Sequence, residues 1–417
     1  MHSFEYRDSR MYCEDVALET LQQAFGTPLY VYSHSTLSRH YGVFDEAFSG
    51  VDHIICFSVK ANPSLAVLDT LMSLGSGADV VSGGELYRAT KAGINAGRIV
   101  YSGVGKATSE MMQALDAGIL MFNIESFQEL ELLDRVAGEM GLKAPVSLRV
   151  NPDVDPKTHP YVATGLMTSK FGINLEDAVS GYDRAAGLEN INVIGLDCHI
   201  GSQLTDLSPF LDAFERVYNL ISTLREKGFN IRYLDLGGGL GITYDAEEPP
   251  SPAEYASAIK KVLKDENLTL ILEPGRNIAG NAGILLTRVL YTKDTSRKNF
   301  VIVDAGMNDL IRPSLYDAYH AILPVNISRR PQKTVDVVGP ICESGDFLAR
   351  DRKMQELGPG DLIAVMSAGA YGFSMASTYN SRPLAAEVLV KGDKFYLTRE
   401  RGTYDDLMKG ERLPDYE

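Results

Sequence analysis

What this chain lacks narrows its identity first. Its 417 residues include four cysteines, Cys13, Cys56, Cys198 and Cys342, with no CxxC spacing among them. That argues against a zinc site and against a disulfide framework, so thiols in a reducing compartment are expected. There is no run of about 18 apolar residues, so no membrane-spanning helix is expected. The opening MHSFEYRDSR carries acids and no apolar signal core, which points to a cytoplasmic protein. A surplus of base is missing as well. The formal net charge is -15, whereas nucleic acid or an anionic membrane calls for a basic surface. A small-molecule substrate is the better expectation. No internal repeat, low-complexity stretch or disordered linker interrupts the chain, and its length exceeds what one hydrophobic core usually spans, so two domains are expected.

Eight short apolar runs are present: IICFSVK (54–60), ADVVS (78–82), IVYSG (99–103), MFNIE (121–125), PVSLRVN (145–151), VIGLDCHIG (193–201), YLDLGGG (233–239) and LTLILEPG (268–275). Between them lie stretches such as FQELELLDRVAGEMG and FLDAFERVYNLISTLREKG, apolar at intervals of three and four and mostly ending at glycine. This alternation predicts a (β/α)8 TIM barrel over 36–281, with a doubly wound open sheet as the alternative. After about residue 281 the rhythm becomes strand-like, in NFVIVDAG, KTVDVVG, DLIAVMSAG and EVLVKGDKFYLTRE. Residues 282–417 together with 1–35, which include TPLYVYS, are expected to form a mostly antiparallel β-barrel or sandwich domain.

In such a barrel the C-terminal strand ends line the active site. Here they carry Lys60, Ser82, Glu125, Arg149 with Asn151, His199 with Ser202, Gly237 to Gly239, and Glu273 with Arg276. Lys60 reads either as a solvated charge or as a desolvated amine able to form a Schiff base with an aldehyde. LDLGGGLG reads as a tight barrel turn or as a backbone cradle for phosphate; it lacks GK[ST] and does not fit GxGxxG. Glu273 pairs either with Arg276 or with a pyridine nitrogen, which it would keep protonated. His199 is a structural side chain or a ring stacked on a planar cofactor, Ser202 a donor to phosphate, and Arg149 a site residue or half of an interior salt bridge. Amine, phosphate cradle and acid are the three groups that pyridoxal 5'-phosphate requires.

FSVKANP, CHIGSQ, LDLGGGLG and ILEPGR together resemble the group IV pyridoxal-phosphate-dependent decarboxylases of alanine-racemase-like fold, in the branch that acts on diaminopimelate. The likeness runs from TPLYVYS to RPLAAEVLV and includes the segment at 151–173. The resemblance implies that Lys60 carries the cofactor and that His199 stacks on its ring. It implies Glu273 at the ring nitrogen, with Asp79, Ser202, Gly237, Gly238, Gly239, Gly275, Arg276 and Tyr371 completing the cofactor site. Arg276, Arg312, Tyr316, Glu343 and Tyr371 are then substrate ligands, and Cys342 is the proton donor, with Lys60 as its competitor. Read without the family, Cys342 is an inert, partly buried thiol and Arg312 a surface charge. Also implied are a homodimer whose Cys342 and Glu343 reach the other subunit's site, and conversion of meso-2,6-diaminopimelate to L-lysine and CO2, the last step of lysine biosynthesis. Two arginines and a glutamate suit a second amino-acid head better than a lone distal ammonium does. An ornithine- or arginine-type decarboxylase is the alternative.

Overall fold

The computed structural model describes residues 2–155, 169–263 and 267–416. The chain divides into two units, Leu37–Ile278 and Met1–Thr36 with Ala279–Glu417.

The first unit is a closed parallel barrel. Its staves are β1 (His53–Ser58), β2 (Gly77–Val80), β3 (Ile99–Tyr101), β4 (Met121–Ile124), β5 (Ala144–Asn151), β6 (Ile191–Asp197), β7 (Tyr233–Asp235) and β8 (Thr269–Leu272). Each pairs in parallel with the next, and β8 returns to β1 through Leu270 with His53, Ile271 with Ile54 and Leu272 with Ile55. Closure leaves no edge strand and buries the staves on both faces, which is why their sequences are apolar runs without alternation. One residue each from β1, β3, β4, β6 and β8 (Cys56, Val100, Met121, Ile194 and Ile271) fills a layer of the interior.

The helices form where their caps and apolar stripes dictate. Helix Gly83–Lys91 starts at Ser82, whose hydroxyl accepts the Glu85 amide, and Phe127–Glu139 starts the same way at Ser126. In Ser208–Glu226 the buried residues beyond Pro209 are Phe210, Ala213, Phe214, Val217, Leu220, Ile221 and Leu224. That is one face at helical spacing, and each large side chain so buried contributes about 1.5–3 kcal/mol.

The second unit is built on a nine-stranded sheet. Strand Gly283–Asp294 pairs antiparallel with Asn299–Val303, Leu362–Val365 and the N-terminal strand Leu29–Ser33. The sheet is mostly antiparallel, with two parallel pairs: Leu29–Ser33 with Ala386–Lys391, and Asn299–Val303 with Gln332–Val338. Long connections separate the members of each pair, so a hairpin does not dictate their direction. Strand Phe347–Gln355, FLARDRKMQ, was not apparent from sequence because four charged residues occupy its middle. Its ends are buried and its centre is mostly exposed.

Candidate active site

β1 stops at Ser58, and Lys60 stands in the 3-10 turn Val59–Ala61 that follows rather than on the strand. The early stop frees the side chain to leave the barrel wall, and it is 35% exposed while Asp79 is fully buried. Lys60 Nζ donates to Asp79 Oδ2 at 2.7 Å. Ser58 Oγ lies 2.9 Å from the same oxygen and 3.0 Å from the Glu273 carbonyl oxygen. Lys60 is therefore an oriented, ion-paired amine open at the mouth, rather than the desolvated amine the apolar run suggested. Asp79 Oδ1 is buried and has no hydrogen-bond partner among the described residues.

Beneath it lies a group of buried carboxyls. Burial pushes Glu273 well above the ordinary carboxylate range, and the neighbouring Asp235 and Asp79 push it further. Burial followed by Asp235 does the same to Asp197. Asp235 itself is raised to about 6 by burial, against the Gly237 amide and the Asn123 side chain that bond to its ionised form. The Glu273 side chain likewise favours the ionised form of Asp235. Glu273 is thereby biased toward its protonated form.

The turn after β7 is shaped by three glycines that are blocked in different ways. A Cβ on Gly237, which sits at φ +63°, would lie 2.5 Å from His199 Nδ1, and one on Gly238 would lie 2.2 Å from the Glu273 carbonyl oxygen. Gly239 has φ +115°, and its Cβ would meet the Gly201 carbonyl oxygen at 2.5 Å. Gly275 packs the last strand's turn onto the lysine turn, where a Cβ would meet those of Ala61 and Ser58 at 2.9 and 3.0 Å. The Gly238 amide donates to His199 Nδ1 at 3.2 Å. A neutral His199 therefore carries its proton on Nε2. Burial, then Arg149 and Lys60, hold its pKa well below the usual value, so the ring is neutral.

Arg276 opens the short helix after β8. Its Nη1 donates to the Tyr244 hydroxyl at 2.8 Å and its Nη2 to Ser202 Oγ at 3.0 Å. Ser202 and Arg276 are thus brought together beside the glycine turn. Of the remaining strand-end residues, Ser82 caps a helix and Asn151 Oδ1 accepts the Asp153 amide at 3.0 Å. Arg149 forms the interior salt bridge, Nη1 to Glu125 Oε1 at 2.7 Å, with its Nε 4.0 Å from Asp197.

Residues that sequence reading missed form the floor of the mouth. Asn123 Nδ2 donates to Asp235 and to Ser102 Oγ, both at 3.1 Å, and Asn123 Oδ1 accepts from Ser147 Oγ at 2.6 Å. Ser102 Oγ in turn lies 3.5 Å from Glu273 Oε1. The available signal was polar residues in the middle of apolar runs, as in MFNIE and YLDLGGG. Inside a stave buried on both faces, such a residue must find a partner within the barrel.

In the second unit Arg312 is buried at the start of helix Arg312–Tyr316. Cys342 and Glu343 are exposed on the loop after Gln332–Val338. Asp346 braces that loop, accepting the amides of Ile341 at 2.6 Å and Met307 at 2.7 Å. Tyr371 has φ +55°, unusual for a bulky residue. The adjoining Gly372 leaves no room for a side chain, since a Cβ would meet the Ala368 carbonyl oxygen at 2.3 Å.

A model of the pyridoxal-dependent decarboxylase family, describing its pyridoxal binding domain, matches residues 34–280. The chain is 53% identical to the diaminopimelate decarboxylase of Aquifex aeolicus (strain VF5), covering 97% of this chain and 96% of that protein. This chain belongs to the diaminopimelate decarboxylase family. Solved structures of the family superpose closely. The Helicobacter pylori diaminopimelate decarboxylase complexed with L-lysine is 45% identical, with a TM-score of 0.91, covering 94% of this chain and 98% of that one. The M. jannaschii diaminopimelate decarboxylase in co-complex with L-lysine is 40% identical, with a TM-score of 0.94, covering 99% and 98%. The family is a carboxy-lyase family that uses pyridoxal phosphate, and the barrel mouth fits that cofactor. It offers an accessible amine at Lys60, an acid biased toward its protonated form at Glu273, an unpartnered buried oxygen on Asp79 and a glycine-lined turn. The family likeness noted at 151–173 falls in part on residues 156–168, which lie outside the described residues. Among the described residues no helix is long and apolar enough to cross a membrane.

Proposed function

We propose that this chain decarboxylates meso-2,6-diaminopimelate to L-lysine and CO2, the closing step of lysine biosynthesis, with pyridoxal phosphate bound at Lys60. The observation that carries the reading is near-full-length identity to a diaminopimelate decarboxylase, together with solved relatives that hold L-lysine.

When bound, pyridoxal phosphate supplies an electron sink for the pair left behind as CO2 departs. The chain's own residues do the rest. Asp79 orients the Lys60 amine, which carries the cofactor and yields to the substrate's amine. Glu273 holds a proton for the ring nitrogen, and its buried neighbours Asp235 and Asp79 favour keeping that position protonated. Neutral His199, fixed in one tautomer by Gly238, lies against the ring without adding charge. Gly237, Gly238, Gly239, Gly275, Ser202 and Tyr371 bind phosphate. Arg276 reaches the substrate and with Arg312 and Tyr316 holds its distal carboxylate, Glu343 takes its distal ammonium, and Tyr371 touches the substrate as well as the phosphate. Cys342 returns a proton to the carbon that lost CO2, in competition with Lys60.

The protein works as a cytoplasmic homodimer in which one copy lends Cys342 and Glu343 to the other, and it has no nucleic-acid partner. Residues 36–281 form its cofactor domain, and 1–35 with 282–417 its β domain. Labelled CO2 should leave meso-diaminopimelate far faster than ornithine or lysine. The reverse order would transfer the assignment to a polyamine decarboxylase. Borohydride reduction of the yellow holoenzyme should mark Lys60, and a mark on another lysine would overturn the cofactor assignment.

A further inference from the structure

The stretch STYNSRP, 377–383, has no part in the reaction as set out above. Yet one of its side chains grips the Cys342 loop, and the adjacent side chain faces the next residue of that loop. Asn380 Oδ1 accepts the Cys342 amide at 2.7 Å. The neighbouring Tyr379 faces Glu343, whose carboxylate raises the pKa of the Tyr379 hydroxyl. All four residues are exposed, so the grip does not follow from burial in the core.

The bend that makes this possible is unusual. Asn380 and Ser381 both have φ +54°, a region that asparagine tolerates better than most side chains. Asparagine also provides a carbonyl acceptor close to its backbone. At the far end of the bend, Arg382 Nη2 donates to the Asp304 carbonyl oxygen at 3.0 Å. The charge of Arg382 also acts on Asp346, the carboxyl that braces the Cys342 loop from its other side. One short segment therefore holds the loop at its tip while being tied electrostatically to its base.

We propose that Asn380 and Tyr379 are positioning residues for Cys342 and Glu343, with Asn380 fixing the backbone that carries the thiol and Tyr379 fixing the carboxylate. The proposal rests on the reading that Cys342 donates a proton and that Glu343 takes the substrate's distal ammonium. The two roles then separate kinetically, because thiol placement governs the chemical step and carboxylate placement governs substrate binding.

The test uses holoenzyme. Cys342 is the exposed cysteine, Cys13, Cys56 and Cys198 being buried, so iodoacetamide labelling located by mass spectrometry reports on its loop. Asn380→Gly keeps the backbone bend and removes the acceptor; kcat should fall about tenfold and the Cys342 labelling rate should change at least about threefold. Asn380→Asp keeps both bend and acceptor and should hold kcat within about threefold. Tyr379→Phe should raise KM about five- to tenfold with kcat within about twofold. Asn380→Gly and Tyr379→Phe enzymes that match the parent in kcat, KM and labelling overturn the proposal. So does Asn380→Gly that loses activity with its labelling rate unchanged. If Asn380→Gly does not fold, Tyr379→Phe, which removes one exposed hydroxyl, decides alone. Cys342→Ala and Glu343→Gln with parental kcat and KM would instead defeat the reading of the pair itself, while labelling of the Asn380 variants still reports on the grip.

Discussion

The buried acids of the barrel mouth and the Cys342–Glu343 pair of the β unit are held in opposite ways. In the barrel, Asp79, Glu273 and Arg276 are buried, and side-chain bonds run through the interior from Ser147 by way of Asn123 to Asp235 and Ser102. Their chemistry comes from being out of water, as the upward shifts of Glu273 and Asp235 show. Cys342 and Glu343 stand in solvent on a loop fixed by backbone amides and by one asparagine. In the proposed homodimer the partner subunit supplies the surface that covers them. The buried set draws its bonds from one chain, and the exposed pair is the part of the site that the proposed dimer shares.

Four experiments break or sharpen this contrast. The largest effect belongs to the barrel. Lys60→Ala should abolish borohydride-trapped cofactor, seen by mass spectrometry, and lower kcat/KM by about 1,000-fold or more. Next is the exposed pair. Cys342→Ala should be strongly impaired alone, yet mixing it with Lys60→Ala should restore about a quarter of parental activity, because half of randomly re-paired dimers carry one intact site. No recovery on mixing would place Cys342 in its own chain's site and erase the difference between the regions.

The third concerns the buried carboxyls. Asp235 is raised in the fold from 3.8 to about 6, so its contribution to stability is full below 3.8 and is lost as pH rises through about 6. The shift corresponds to about 3 kcal/mol at most. Denaturant melts of cofactor-free protein from pH 4 to 7 should therefore show a steeper loss in the parent than in Asp235→Asn. Equal slopes would mean that the interior is wetter than its burial implies. The smallest effect is Ser82→Ala, which removes a helix cap at the rim for about 1 kcal/mol, with kcat unchanged. A large fall in kcat would make Ser82 part of the site rather than its frame.

The strand-helix rhythm, the lysine and the glycine turn were legible because each is local. An apolar run with a charge at its end, or three glycines after a strand, needs no knowledge of what lies opposite. The environment of Lys60 was not legible, because its exposure depends on β1 stopping at Ser58 and its partner Asp79 arrives from β2. Asn123 and Asp235 stayed hidden for the same reason. Their meaning lies in cross-barrel pairing, and spacing along the chain carries no trace of a bond between residues 112 apart. FLARDRKMQ escaped because its buried residues sit at the two ends while charges fill the middle, so neither alternation nor an apolar run marks it.

The three glycines at 237–239 also limit how the gene can drift. Every missense change at a glycine codon adds at least a Cβ, and here each added carbon meets a different obstacle. For Gly238 and Gly239 the obstacle is a backbone carbonyl, present whatever residue occupies positions 273 or 201, so no second substitution removes it. Gly237 is opposed by a side chain alone, that of His199. Giving up the imidazole would still leave a Cβ at position 199 only 2.9 Å away, so the turn has no clash-free single-step path to another sequence.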